Sequence, residues 1–260
     1  MNTVLTDDGV RIAWTAEGDR SNPALLLSNS LGTRWEMWDG DMAALTTRFH
    51  VIRYDTRGHG RSEAPSGDYS LAQLGADALA VLDAAGVARA HMAGVSMGGM
   101  TAQWLGVHAP QRMDRLVLAN TAAVMGPASA WDARIGIVRE AGMAAVADTV
   151  VERWFTPEFR STRLPQVETI RNMLLATSPE GYVGCCAAIR DMDQRADIGR
   201  ITAPVLVLGG LSDPATPPEK AEELARVIPD ARLEMLAAAH LSNLEQRVAF
   251  DRLVIDFLED

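Results

Sequence analysis

The sequence predicts an α/β fold in which helices cover both faces of a mainly parallel central sheet and a helical segment is inserted. Three observations predict this fold class. Short apolar runs alternate with helix-like segments along most of the chain, a turn signal near the start marks an antiparallel hairpin, and the middle of the chain is helical. Alternating strands and helices are typical of a parallel sheet whose crossover helices cover it.

An antiparallel hairpin opens the predicted fold. Residues 4–5 and 10–14 supply its apolar strands, and the Asp-Asp-Gly sequence at 7–9 between them is a turn signal. Six further runs, rich in apolar and β-branched residues, predict the other strands and span residues 24–28, 51–54, 90–95, 115–118, 204–208 and 232–235.

The segment from 122 to 198 interrupts this alternation. Prolines at 157, 165 and 179 separate its helical patterns, which span residues 130–140, 143–154, 167–176 and 180–193. We therefore predict a helical cap at 122–198, inserted into a core domain made of residues 1–121 and 199–260. No internal repeat or low-complexity linker separates the two parts, so the cap is expected to pack on the core.

Composition excludes several classes of protein. Of 260 residues, 48% are hydrophobic and 22% are charged, as in ordinary globular proteins. The net charge of −10 argues against nucleic-acid binding, which requires a basic surface. Aspartates near the N-terminus disrupt any signal peptide, and no apolar run is long enough for a membrane span, so a cytoplasmic location is expected. The only cysteines, Cys185 and Cys186, are adjacent, which suits neither a disulfide framework nor a zinc site.

Ser96 is the candidate nucleophile. It is the central residue of a Gly-Val-Ser-Met-Gly-Gly motif at 94–99, which follows a predicted strand and precedes the helical run 100–108. In this setting G-x-S-x-G forms a strained turn that exposes the serine, and the glycines leave room for the neighbouring backbones. A serine hydroxyl needs an adjacent base to become nucleophilic, so a histidine is required.

His240 is the candidate general base. It lies just beyond the last predicted strand and before a terminal helix, on a loop expected at the carboxyl edge of the sheet near Ser96. The other histidines have structural explanations, because they abut strands, end a helix or lie in a glycine turn: His50, His59, His91 and His108.

Asp213 is the candidate acid that orients His240 and stabilises the imidazolium. It lies in the loop directly after the run 204–208, and the chain order Ser96, Asp213, His240 is the one expected of this architecture. Three other acidic residues are weaker alternatives, because they lie at the end of the helical segment and follow no strand that would place them near His240. They are Asp191, Asp193 and Asp197.

The backbone amides of Leu31 and Met97 are the candidate oxyanion donors. Acyl transfer needs donors that stabilise the oxygen of the tetrahedral intermediate. Met97 follows the nucleophile directly, and Leu31 belongs to the Asn-Ser-Leu-Gly loop at 29–32, which comes after the run 24–28.

Four motifs carry a family resemblance: residues 94–99, Asp-Thr-Arg-Gly-His-Gly-Arg-Ser at 55–62, Gly-Leu-Ser-Asp at 210–213 and His-Leu-Ser-Asn-Leu-Glu-Gln at 240–246. Together they resemble the 3-oxoadipate enol-lactonases of the α/β-hydrolase family over essentially the whole chain. The first two motifs are shared by many α/β hydrolases. The segment after His240 is more specific, as is the 29–32 loop, where relatives often carry His-Gly.

The resemblance implies that the chain hydrolyses 3-oxoadipate enol-lactone to 3-oxoadipate in aromatic catabolism, the β-ketoadipate pathway, with no metal or organic cofactor. This lactone carries a carboxymethyl group, so the pocket of an acidic protein is expected to contain a cation. Arg134 and Arg190 of the predicted cap are the candidates, with Ser30 and Thr33 as the alternative. The candidate walls of the site are Trp131, Trp154 and Trp38.

Two other functions are open on the sequence alone. The same fold and triad suit hydrolysis of another small ester, lactone or carbon–carbon bond, or perhydrolysis. A hydrolase-fold receptor that senses a ligand is the non-enzymatic alternative. Comparing rates on the enol-lactone, aryl esters and vinylogous diketones separates the enzymatic alternatives, and fast multiple turnover excludes the receptor.

Overall fold

Eight strands form one sheet in a computed structural model that describes all residues, 1–260. They are β1 (Asn2–Leu5), β2 (Arg11–Glu17), β3 (Ala24–Ser28), β4 (His50–Tyr54), β5 (Ala90–Val95), β6 (Met113–Ala119), β7 (Val205–Gly210) and β8 (Arg232–Leu236). The spatial order is β1-β2-β4-β3-β5-β6-β7-β8. β2 pairs antiparallel with β1 and β4, and all other pairs are parallel. The predicted hairpin and mainly parallel sheet are confirmed.

Eleven α-helices accompany the sheet: α1 (Met42–Leu45), α2 (Leu71–Ala84), α3 (Met97–His108), α4 (Ala128–Ala141), α5 (Ala144–Trp154), α6 (Pro157–Thr162), α7 (Leu164–Ala176), α8 (Pro179–Asp191), α9 (Pro218–Val227), α10 (Ser242–Glu245) and α11 (Arg247–Glu259). Short 3-10 helices span Trp35–Trp38, Pro110–Arg112 and Ile198–Arg200. The longest α-helices have 14 residues, and none has both the length and the apolarity needed to cross a bilayer.

Alternation along the central strands produces an apolar layer on each face of the sheet. Leu25 and Leu27 of β3 belong to one layer, and Leu26 belongs to the other, because successive side chains of a strand point to opposite faces. Residues of α2, α3 and α9 pack in the layer that contains Leu26, while α1 and α11 pack in the opposite layer. Helices therefore cover both faces, as predicted.

Five helices, α4 to α8, lie between β6 and β7, where the sequence predicts a cap. Their buried side chains, including Ile135, Val150 and Leu174, belong to the same apolar cluster as Leu25 and Trp38 of the core. The helical segment thus packs firmly on the sheet layer, as expected from the lack of a linker.

Prolines account for the differences between the predicted and observed helices of this segment. The sequence predicts a break at Pro157, whereas the structure has helix α6 there. Pro157 is instead the first helical residue, where a missing N–H costs nothing, and the Thr156 hydroxyl caps the helix by accepting from the Phe159 amide. Pro165 and Pro179 likewise lie in the first turns of α7 and α8.

Candidate active site

Ser96 occupies the turn between β5 and α3 in a strained conformation. Its φ of 57° and ψ of −115° lie outside the regions that non-glycine residues usually adopt. The Ser96 amide donates to the Ala119 carbonyl over 2.9 Å, and the Thr121 hydroxyl donates to the Ser96 carbonyl over 2.7 Å. The Ser96 side chain makes no hydrogen bond within the chain and lines a cavity, so its hydroxyl is free to react.

Glycines surround this turn because the neighbouring backbones leave no room for a side chain. A Cβ on Gly94 would collide with the backbone of Gly98, and a Cβ on Gly98 would collide with the backbone of Ser28. At Gly99, the added atom would lie 2.7 Å from the Thr121 Cβ. The steric role predicted for the glycines of the motif is confirmed.

His240 and Asp213 meet at the carboxyl edge of the sheet. Asp213 follows β7 and His240 follows β8, and these two strands are parallel neighbours. His240 Nδ1 lies 2.8 Å from Asp213 Oδ2, and both side chains are buried. Because a carboxylate only accepts, the bond assigns the imidazole proton to Nδ1 and leaves the lone pair on Nε2.

Asp213 is held as an ionised carboxylate. The amides of Ala215 and Thr216 donate to Oδ1 over 2.8 and 3.0 Å, and the Thr216 hydroxyl donates to Oδ2 over 2.7 Å. Burial opposes ionisation, but attraction to His240 and hydrogen bonds from His240 and Thr216 lower the pKa of Asp213 to about 2. Its negative charge is therefore present at neutral pH.

The two amides predicted as oxyanion donors have no competing acceptor. Met97 is the first residue of α3, so its amide lacks an intrahelical partner. Leu31 lines the cavity on the loop after β3, and its amide donates to no group of the chain. Their role toward an oxyanion stays a prediction.

A cavity of about 360 Å³ opens beside Ser96 and His240, a size suited to a small molecule. The core and the helical segment both contribute to its lining, which includes Leu31, Trp131, Arg134, Arg153, Trp154 and Tyr182. No group of three or more His, Cys, Asp or Glu side chains is arranged to hold a metal ion.

Residues 23–157 match the family model of the alpha/beta hydrolase fold. The chain belongs to the α/β-hydrolase family. Residues 177–260 also match a model described as TAP-like protein. The strand order and the serine turn described above are therefore those of an α/β hydrolase, and the predicted fold class is confirmed.

This α/β hydrolase is similar to 3-oxoadipate enol-lactonase 2 of Acinetobacter baylyi, with 43% identity over 96% of the chain and 94% of the relative. The crystal structure of the enol-lactonase from Burkholderia xenovorans LB400 has a TM-score of 0.97 and 40% identity, with 100% of both chains covered. A hydrolase from Pseudomonas aeruginosa PA01 also has a TM-score of 0.97, at 47% identity over 100% of this chain and 98% of that chain. The family resemblance inferred from the motifs is confirmed.

Three of the residues predicted to contact a substrate line the cavity of this α/β hydrolase: Trp131, Arg134 and Trp154. The Arg134 guanidinium lies over the Trp131 ring, 4.9 Å from its centroid, and forms no salt bridge. Trp38 does not reach the cavity, because it is buried in the core and its indole N–H donates to Asn29 Oδ1.

Arg190 lies outside the cavity, which corrects its predicted role in substrate binding. Its guanidinium forms salt bridges with Asp68, Asp132 and Asp191 at 3.0, 3.1 and 2.7 Å. Three carboxylates neutralise its charge and accept four hydrogen bonds from it, so its guanidinium is held away from the cavity. Two of these partners, Asp68 and Asp132, lie far from Arg190 in the chain, so local sequence does not predict the pairing.

Arg153 is a cavity residue that the sequence analysis missed. It is partly buried, and its Nη2 donates to the Pro214 carbonyl over 2.9 Å. Burial and repulsion from Arg134 lower the pKa of Arg153, and no carboxylate pairs with it. Its position directly before Trp154 was the one available signal.

Asn120, at the end of β6, is a second residue that was missed. Its Nδ2 donates to Asp213 Oδ2 and to the Ala239 carbonyl, each over 3.1 Å, and its Oδ1 accepts from the Ser242 hydroxyl over 2.5 Å. Asn120 thus joins the loops that carry Asp213 and His240. A polar residue directly after a buried parallel strand, at the edge where sites form, was the available signal.

Of the five alternative residues named from the sequence, all but Ser30 are engaged elsewhere. None of the three alternative acids contacts His240, because each pairs with an arginine near it in the chain. The pairs are Asp191 with Arg190, Asp193 with Arg195 and Asp197 with Arg200. Ser30 lines the cavity, whereas the Thr33 hydroxyl turns back to donate to the Ser30 carbonyl over 2.7 Å.

Proposed function

We propose that this α/β hydrolase opens the ring of 3-oxoadipate enol-lactone to give 3-oxoadipate in aromatic catabolism. In the proposed mechanism Ser96 is the nucleophile, His240 is the general base and Asp213 orients the histidine. The observation that carries this function is a single cavity lined by Ser96, His240 and two arginines without carboxylate partners. Similarity to relatives named as 3-oxoadipate enol-lactonases supports the same substrate.

His240 provides the base for the first step. With its Nδ1–H directed at Asp213, His240 accepts the Ser96 proton at Nε2 while Ser96 Oγ bonds to the lactone carbonyl carbon. The positive charge that develops on the imidazole lies beside the ionised Asp213, which stabilises it. The carbonyl oxygen becomes an oxyanion that accepts from the amides of Leu31 and Met97.

Collapse of the tetrahedral intermediate breaks the ring C–O bond. The leaving oxygen is an enolate, a better leaving group than an alkoxide, and the imidazolium of His240 gives it the proton taken from Ser96. Ketonisation of the resulting enol draws the reaction forward. Water then gives a proton to neutral His240 and attacks the carbonyl carbon of the acyl-enzyme. His240 returns this proton to Ser96 Oγ as the ester bond breaks, which releases 3-oxoadipate and restores Ser96.

Arg134 and Arg153 supply the positive charge that an anionic lactone requires. The chain has a net charge of −10, whose field repels an anion. The two guanidiniums repel each other, since Arg134 contributes to the lowered pKa of Arg153, and neither pairs with a carboxylate. A substrate carboxylate between them relieves this repulsion and accepts forked hydrogen bonds.

Residues 122–198 form the cap that recognises the substrate in this proposal. The core contributes the reacting groups, Ser96 and His240, and the helical segment contributes the arginines and the indole rings of Trp131 and Trp154. Apolar rings beside a charge pair exclude water and so strengthen the attraction between the arginines and the carboxylate.

Turnover of the enol-lactone by the purified chain tests the proposed function. We expect many turnovers per protein molecule, with 3-oxoadipate identified as the product by mass spectrometry. Ser96→Ala is expected to fold normally, because the turn accepts a smaller side chain, and to lower kcat by about 10⁶-fold.

Comparison substrates separate this function from other hydrolyses on the same fold. Simple aryl esters test for a general esterase, and vinylogous diketones test for cleavage of a carbon–carbon bond. We expect a lower kcat/KM for both classes than for the enol-lactone. A higher kcat/KM for either class, or less than one turnover of the enol-lactone, would overturn the proposed function.

A further inference from the structure

The oxyanion loop, residues 29–32, ends at a glycine whose amide and carbonyl are each bound by a side chain. The Gly32 amide donates to His59 Nε2 over 2.8 Å. The Thr177 hydroxyl lies 3.2 Å from the Gly32 carbonyl and 3.0 Å from the Met173 carbonyl, and its proton is shared between them. The Gly32 amide belongs to the peptide unit directly after Leu31, so holding it restricts the backbone that carries the Leu31 amide.

His59 is arranged as a permanent acceptor for the Gly32 amide. Its Nδ1 lies 3.1 Å from the Arg57 carbonyl, which only accepts, so the proton is on Nδ1 and the lone pair is on Nε2. Burial lowers the pKa of His59 to about 4, so the imidazole is neutral at neutral pH and Nε2 remains unprotonated.

The 55–62 motif, which carries His59, also binds the chain just after the oxyanion loop, at Trp35. Asp55 Oδ1 accepts from the Trp35 amide over 2.9 Å, and Asp55 Oδ2 accepts from the Arg61 amide over 2.9 Å. The motif thus binds the backbone at both Gly32 and Trp35, which fixes the direction in which the chain leaves the loop.

The helical segment also contacts this loop, through Thr177 and Leu174. Thr177 directly follows α7, and a Cβ on Gly32 would collide with Leu174 of that helix. Gly32 also has a φ of 81°, a conformation that side chains disfavour. The loop is therefore enclosed between the 55–62 motif and the end of α7.

We propose that His59 and Thr177 are positioning residues that hold the amide and the carbonyl of Gly32 and thereby direct the Leu31 amide at the oxyanion. Neither residue lines the cavity, so neither contacts the substrate. This inference rests on the proposed acyl-transfer mechanism at Ser96, but on no particular substrate. It gives the 55–62 motif a role in turnover that a fold-stabilising turn alone would not have.

Misalignment of an oxyanion donor weakens binding of the transition state and leaves binding of the substrate unchanged. His59→Ala is therefore expected to lower kcat about 10- to 100-fold, less than complete loss of one donor, with KM within about twofold. Thr177→Val is expected to lower kcat about threefold to tenfold, because its hydroxyl is shared with a second carbonyl.

The test measures hydrolysis of 4-nitrophenyl acetate and the affinity for a trifluoromethyl ketone. This ketone forms a tetrahedral adduct with the nucleophilic serine and places a negative oxygen where the oxyanion develops. In each variant we expect the affinity for the ketone and kcat to fall by the same factor. Thr177→Ser, which keeps the hydroxyl, is expected to restore both values.

Thr169→Val is the matched control. It makes the same change within α7, where the exposed hydroxyl donates only to the Pro165 carbonyl, and it is expected to leave kcat and ketone affinity unchanged. Unchanged ketone affinity in a folded His59→Ala variant, or equal impairment of Thr177→Ser and Thr177→Val, would overturn the inference. If His59→Ala does not fold, the Thr177 variants decide. Failure to hydrolyse the enol-lactone would overturn the proposed substrate alone, since the aryl ester reports on the loop independently.

Discussion

Two buried sites differ in the charge of their aspartates. Asp213, beside the cavity, is ionised, whereas Asp41 and Asp251, at the C-terminal helix, favour the neutral form. Asp213 accepts hydrogen bonds from His240, Asn120, Ala215 and Thr216, and attraction and bonding to its neighbours outweigh burial and lower its pKa to about 2. Asp41, which precedes α1, is fully buried, and no backbone amide donates to its carboxyl group. Burial raises the pKa of Asp41, with repulsion from Asp251 of α11 adding to it, and burial raises that of Asp251 to about 6.

Hydrogen-bond donors and nearby positive charge therefore determine which of these buried acids stays ionised. Burial by itself favours the neutral form of a carboxyl group. Asp213 has donors from several loops at the carboxyl edge of the sheet and lies next to the cavity. Neither Asp41 nor Asp251 lines the cavity beside Ser96, and one proton shared by the pair avoids two adjacent negative charges. The pair is thus expected to contribute to packing and not to turnover.

The two buried sites should differ most in how an Asp→Asn substitution changes kcat. Asp213→Asn is expected to lower kcat on the enol-lactone by about 10⁴-fold, because the amide favours the wrong imidazole tautomer. Asp251→Asn should keep kcat within about threefold, since it touches no reacting group. A folded Asp213→Asn variant with near-normal kcat would require another acid behind His240, and a strongly impaired Asp251→Asn would give the C-terminal pair a role in turnover.

An arginine that lines the cavity without a carboxylate partner should matter more for kcat/KM than an arginine that is already paired outside it. Arg134→Ala is expected to lower kcat/KM for the carboxylated lactone by about 2 to 4 kcal/mol, or about 30- to 1000-fold, because a substrate carboxylate loses its partner. Hydrolysis of a neutral aryl ester should fall only a few fold, since the triad is unchanged. Arg190→Ala is the control and should leave the ratio of the two kcat/KM values unchanged, because carboxylates of the protein already neutralise Arg190.

Stability should also depend on pH with opposite signs at the two sites. An acid whose folded pKa is raised stabilises the fold below its unfolded pKa and loses that contribution as pH rises through the folded pKa. For Asp251 this window runs from 3.8 to about 6. Asp213, whose pKa is lowered, instead contributes stability above 3.8 that is lost as pH falls toward about 2.

Urea unfolding at about pH 4.5 and about pH 7 measures the contribution of the C-terminal pair. In the wild type, raising the pH should lower the free energy of unfolding, because the pair loses its proton. Asp251→Asn should remove much of this loss, so the difference in unfolding free energy between the two pH values should shrink by on the order of 1 to 3 kcal/mol. An unchanged pH dependence in Asp251→Asn would mean that the pair is already ionised at the lower pH.

The smallest expected effect concerns the support of Asp213. Ser242→Ala removes the hydroxyl that donates to Asn120 Oδ1, so the Asn120 amide is held less firmly against Asp213. We expect kcat to fall about threefold to tenfold with KM little changed. Ser161→Ala, an exposed serine of α6, is the control and should have no effect. Equal kcat in Ser242→Ala and wild type would show that Asn120 needs no support.

The fold could be predicted almost completely because its determinants are local. Most strands of the parallel sheet are short apolar runs, and hydrophobic layers on both faces of the sheet make such runs continuous. Helix α6 was missed because a proline is compatible both with a break and with the first residue of a helix. The Thr156 cap decides between them, and its hydrogen bond becomes visible only in the structure.

The residues proposed for the triad could be named from the sequence because each follows a predicted strand of the sheet. Helical residues had no such guide, since the face that a helix turns toward the cavity depends on packing. The sequence therefore points to Arg190, whereas Arg153 lines the cavity. The contact between His59 and Gly32 joins two loops through a side chain, and neither loop contains a signal for the other.

A comparison of two lactones that differ by one carboxylate tests the proposed function most directly. α-Angelica lactone has the same enol-lactone ring as 3-oxoadipate enol-lactone, with a methyl group in place of the carboxymethyl group. We predict that the wild-type chain prefers the carboxylated lactone by at least about 30-fold in kcat/KM, and that Arg134→Ala removes most of this preference. An equal or higher kcat/KM for the neutral lactone in the wild type would contradict both the substrate and the assignment of the arginines.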